Sequence, residues 1–186
     1  MQLSPQTIRT LCRSSADHAP MITPFIERTV HNRSGLSGGL SCAGYDVHLQ
    51  NLQTVLDDNH KPRFMMPFRA KMDGGLIVWT IPPQTGVLGV TAEMFTIPKD
   101  VVMHYFNKST LARRFINAAA TLAEPGWRGH LTLELYNSTD NPIQLIQGQP
   151  IGQVAFMKMD APSETPYSGK YQDQPDYPVQ AIHENA

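Results

Sequence analysis

The chain has 186 residues, the size of one domain with tails. Fifteen Lys and Arg against sixteen Asp and Glu leave a net charge of −1, which excludes a general coat for nucleic acid. Charged residues make up 17%, while Pro reaches 15 and Gly 13; this balance suits a turn-rich β protein that hides surface in an oligomer, not a helical bundle.

Ser4-Pro5 reads as an N-cap with proline at the first helical position, so a short helix should open the chain. Residues 14–40 are rich in Ser, Gly, Pro and His and read as loop, with an edge strand around 22–30. A strand is expected at 45–49. Between 57 and 75, Asp57-Asp58-Asn59, Pro62, Pro67 and Gly74-Gly75 are hairpin and loop signals. Strands follow at 76–81, 86–93 and 101–106. Residues 108–117 have helix-compatible spacing, with Leu111, Phe115 and Ala118 on one side and Ser109 and Arg113 sharing another. Glu124-Pro125-Gly126 is a turn. Residues 130–136 then alternate, with Leu131, Leu133 and Leu135 facing one way and His130, Thr132, Glu134 and Tyr136 the other. Strands at 143–146 and 151–157 close the set. From Asp160 the composition turns polar, which predicts a domain over 1–159 and a tail over 160–186 that is disordered or ordered against a partner or ligand. Short strands separated by turns indicate an all-β barrel or jelly roll with a short helix or two.

Cys12 and Cys42 form neither a disulfide framework nor a zinc signature, which predicts two reduced thiols in a cytoplasmic protein. No signal peptide and no membrane span are expected. The Walker loop, the dinucleotide fingerprint, the Gly-x-Ser-x-Gly elbow and the zinc deaminase signature are all absent. The seven histidines lack the tight pairing of a zinc site, so no protein-held metal is expected. Three segments could carry chemistry: Glu134 on its strand, the basic run Lys108-Ser109-Thr110-Leu111-Ala112-Arg113-Arg114, and the tail 167–174. By spacing alone the ordinary readings are an outward-facing carboxylate, a capped solvated helix and a disordered tail.

Taken together, these motifs are more specific. Tyr45-Asp46-Val47-His48-Leu49, Ser109-Thr110-Leu111-Ala112-Arg113, Pro125-Gly126-Trp127 followed by Leu133-Glu134-Leu135-Tyr136-Asn137, Gly148-Gln149-Pro150, and Gly169-Lys170-Tyr171-Gln172-Asp173-Gln174 resemble, in order and spacing, the dCTP deaminase family of the dUTPase-like superfamily. The resemblance runs from Leu3 to about Gln174. It implies a distorted jelly-roll, dUTPase-like β-barrel and a homotrimer with active sites between subunits. The tail would fold over the nucleotide. It also implies zinc-independent hydrolytic deamination of dCTP to dUTP and ammonia, with Glu134 as general base and then acid. Arg113 and Ser109 complete the implied catalytic set. Lys108, Thr110, Asn117, Leu122, Glu124, Trp127, Tyr167, Lys170, Tyr171 and Gln174 form the implied substrate-binding set, with Lys108, Arg113 and Lys170 as the basic cradle. Magnesium would travel with the triphosphate.

The chain departs from the family pattern in four places. Residues 120–123 replace a stretch that commonly carries Arg. Glu124 stands for the family's Asp, and His48 for Arg in Asp-Val-Arg-Leu. A frequent His near Asn117 is missing. These positions bear on the base pocket and on any diphosphatase activity. The alternatives are a bifunctional dCTP deaminase/dUTP diphosphatase, a dUTPase, and a non-catalytic nucleotide-binding regulator.

Overall fold

The computed structural model describes residues 1–13, 18–31, 35–71 and 75–183. Part of the loop expected at 14–40, Gly74 in the second hairpin signal, and the end of the tail lie outside those residues. The chain begins with α1 (Pro5–Leu11), whose N-cap Ser4 accepts the Thr7 N–H through its hydroxyl. Next come β1 (Ile22–Thr23), β2 (Val30–His31), β3 (Ser37–Leu40), β4 (Tyr45–Thr54), β5 (Phe68–Lys71), β6 (Ile77–Ile81), β7 (Thr85–Thr96) and β8 (Val101–Asn107). The set ends with α2 (Ser109–Ala112), β9 (Ile116–Ala119), β10 (Arg128–Asn137), β11 (Ile143–Ile146) and β12 (Pro150–Lys158).

The all-β expectation holds. Among the described residues nine strands form one curled sheet, and β11, β6 and β5 form a second of three. The long strands curl the larger sheet by changing partners along their length. The first half of β4 pairs with β3 and β12, and its second half with β7. In turn β7 carries β10 on one side, and β4 and β1 on the other. Register shifts interrupt β4 between Leu49 and Asn51 and β10 between His130 and Thr132, where an added residue bends a strand. The core this encloses includes Tyr45, Trp79, Phe95 and Phe156, all fully buried. Leu131, Leu133 and Leu135 of β10 enter it as the alternation predicts.

Three expectations need correction. The edge strand at 22–30 is two separate two-residue strands, β1 and β2; Pro24 has no N–H with which to extend the ladder. The helix-like segment 108–117 keeps only one turn. Phe115 adopts φ +56°, a conformation no helix continues through, and 116–119 becomes β9 on the edge of β10. Ile116 and Ala118 are buried at period two, while Phe115 is exposed, so sheet pairing overrides the helical spacing. The expected loop at 57–75 contains β5, which pairs with β6.

Candidate active site

The outward face of β10 builds one wall of a cavity of about 990 Å³. Glu134 and Thr132 come from that face. Leu122, Glu124 and Trp127 come from the connection between β9 and β10, and residues 55–63 from the loop after β4. Glu134 lies opposite Leu88 of β7 and Ala119 of β9, so its backbone is held from both sides. Partial desolvation at the cavity wall raises its carboxyl above the ordinary carboxylate range; its own backbone N–H offsets part of this. A carboxylate moved in that direction is better matched to taking and giving protons near neutrality.

The described part of the tail closes the cavity from its own chain. Its course depends on two glycines. Gly126 has φ +86°, and a Cβ there would stand 2.7 Å from Pro166. At Gly129 φ is +147°, and a Cβ would stand 2.5 Å from the Gln174 nitrogen. With nothing in the way, Gln174 runs parallel to Gly129, and its carbonyl accepts the His130 N–H at 2.9 Å. Arg128 pairs with Asp173, and this hydrogen bond holds the Asp173 carboxyl below its usual range. The buried Trp127 indole donates to the Tyr171 carbonyl at 2.7 Å, and the Tyr171 N–H donates to the Tyr167 hydroxyl at 3.1 Å. Further on, the Gln180 amide donates to the Thr54 carbonyl at 2.9 Å and accepts the Leu56 N–H at 3.2 Å, tying the tail to the opposite rim.

Of the expected site residues, Glu134, Leu122, Glu124, Trp127, Tyr167, Tyr171 and Gln174 line this cavity. Lys108, Ser109, Thr110, Arg113, Asn117 and Lys170 do not. The Lys108 ammonium is paired with the buried Asp46 and donates to the Ser37 hydroxyl, so within this chain it is not a ready phosphate ligand. Ser109, Thr110 and Arg113 are exposed on and beside α2. Asn117 donates to Ser138 at 2.8 Å, and Lys170 lies over the Tyr171 ring at 5.5 Å. The cavity's own charges are Asp57, Asp58, Glu124 and Glu134 against Arg63, with His60 and His183. One chain therefore presents the Glu134 carboxyl without a basic cradle. Sequence reasoning did not count Thr132, Gln180 or the loop 55–63 among site residues. Thr132 alone carried a usable signal, since it shares a strand face with Glu134.

Residues 2–159 match the family model described as dCTP deaminase-like. The chain belongs to the dCTP deaminase-like family. It is 36% identical over 166 residues to a dCTP deaminase of Orientia tsutsugamushi (strain Ikeda), covering 86% of this chain and 88% of that one. To the dCTP deaminase of Paramagnetospirillum magneticum it is 36% identical over 176 residues, covering 89% and 92%. The crystal structure of 2'-deoxycytidine 5'-triphosphate deaminase from Agrobacterium tumefaciens shares the fold, with a TM-score of 0.55 at 16% identity over 83% of this chain. This chain spans 48% of that protein. Within this dCTP deaminase-like chain, the matched 2–159 includes Glu134 and ends before the tail that roofs the cavity. Among the described residues no helix is long and apolar enough to cross a membrane.

Proposed function

We propose that the protein hydrolyses dCTP to dUTP and ammonia in the cytoplasm. The observation that carries this is the Glu134 carboxyl, set on a doubly paired strand in a cavity the chain's own tail roofs, with its proton affinity raised by desolvation. Glu134 takes a proton from water as the water oxygen bonds to C4 of the cytosine. It delivers that proton to N3, then takes the second proton from the new C4 hydroxyl and passes it to the amine; the C4–N bond breaks, the C4 carbonyl forms and ammonia leaves. One carboxylate can serve as base and then acid in this sequence, so these transfers are assigned to it without a hydrolytic zinc. The carboxylate-rich lining does not suit a bare triphosphate. Homotrimer formation would supply what is missing by bringing the exposed Ser109 and Arg113 of a neighbouring copy to this cavity, Arg113 to steady negative charge and Ser109 to bond water or phosphate. Magnesium would enter with the triphosphate and neutralise its charge; among the described residues no cluster of three His, Cys, Asp or Glu is placed to hold the ion on the protein alone.

A second carboxylate, Glu124, lines the same cavity beside the Pro125-Gly126 turn, which favours the bifunctional reading as the runner-up. Incubation with dCTP, dCMP or dUTP plus magnesium, with products resolved by ion exchange, separates the two. Conversion of dCTP to dUTP is the expected result. Release of dUMP and pyrophosphate supports the bifunctional reading, and absence of any turnover sinks both.

A further inference from the structure

The Gln174 amide is held in one orientation by Thr132. Its Oε1 accepts both the Thr132 backbone N–H, at 3.3 Å, and the Thr132 hydroxyl, at 3.1 Å. That backbone N–H is available because β9 pairs with β10 only from Glu134 onward. The hydroxyl spends its lone pair on the Val179 N–H at 3.3 Å, which leaves its own proton for Gln174. A backbone N–H can only donate, so the amide atom facing it has to be oxygen; the flipped amide would set donor against donor. The NH2 of Gln174 is left with no acceptor among the described residues, on a side chain that lines the cavity.

Thr132 and Glu134 are alternate residues of one strand, about 7 Å apart along it. For a pyrimidine bound with C4 at the Glu134 carboxyl, an N3–C2 edge turned toward Gln174 would face that NH2. In cytosine that edge is two adjacent acceptors, N3 and the C2 oxygen; in uracil, N3 carries a proton. We propose that Thr132 is a positioning residue for base discrimination: by fixing the Gln174 amide with its NH2 toward the base, it favours cytosine over uracil, and so substrate over product. The inference rests on the proposed deaminase reading.

The test uses the full chain carrying Glu134→Gln to stop turnover, with dCTP and dUTP binding measured by calorimetry in the presence of magnesium. This protein should prefer dCTP. Adding Thr132→Val removes the hydroxyl at nearly constant shape and leaves the backbone N–H as the one remaining tie on Oε1, so it should cut that preference about two- to tenfold, the worth of the one hydrogen bond lost. Adding Thr132→Ser should keep it. A preference that survives Thr132→Val, or is lost equally in Thr132→Ser, overturns the inference alone. No preference for dCTP in the Glu134→Gln protein, with wild-type protein still converting dCTP to dUTP, also overturns the inference alone; absence of turnover in the wild type removes the deaminase reading and takes this inference with it.

Discussion

The Lys108 ammonium lies 3.0 Å from Asp46, with both side chains nine-tenths buried. A cation so placed stabilises the fold before it serves any ligand. Lys108→Ala leaves Asp46 buried with only the Ser37 hydroxyl, and should cost about 3 kcal/mol of stability in urea unfolding. A variant that unfolds like the wild type but fails to bind nucleotide would return Lys108 to the phosphate cradle.

Glu134→Gln keeps size and removes the proposed base. Deamination should fall by at least about a hundredfold, with nucleotide binding and thermal midpoint retained. Product assays alongside calorimetry check both halves, and wild-type turnover would remove Glu134 from the mechanism.

The pH dependence follows from the same group. In the proposed mechanism Glu134 acts first as a base, so turnover should fall as acid protonates it. Desolvation raises its carboxyl above the ordinary value of 4.5, so the acid limb of kcat/KM should lie above that pH. Stability runs the other way. The folded state favours the protonated form, so this group's contribution is complete below 4.5 and is lost as pH rises through the higher folded value. A kcat/KM profile flat down to the ordinary carboxylate range would contradict the assignment.

Gly129→Ala should displace the tail without unfolding the barrel. Its φ of +147° disfavours any Cβ, and the added carbon would meet the Gln174 backbone at 2.5 Å. Faster proteolysis within 160–183 and a raised KM, at a nearly unchanged thermal midpoint, are the expected signs.

Much of the barrel was legible. Leu131, Leu133 and Leu135 alternate without exception, and β10 emerges where that alternation stands. β9 was not legible, because Leu111, Phe115 and Ala118 fit a helical face as well as Ile116 and Ala118 fit a strand, and the pairing that decides between them comes from a strand more than ten residues away. For the site, Glu134 could be picked out by motif, and Glu124-Pro125-Gly126 flagged a turn. That the tail docks on its own chain depends mostly on backbone groups, such as the Gln174 carbonyl and the Asp173 N–H, which every sequence possesses. The pairing of Lys108 with Asp46 was not legible, because the two are distant in sequence and periodicity gives no hint of such a pair.

The chain has two tryptophans, and they occupy contrasting places. Trp79 is sealed in the core, whereas the Trp127 indole bonds the backbone of the tail. Any movement of the tail alters the surroundings of one fluorophore and leaves the other as an internal reference. Displacement of the tail by mutation or ligand would thus be readable from intrinsic fluorescence without a label.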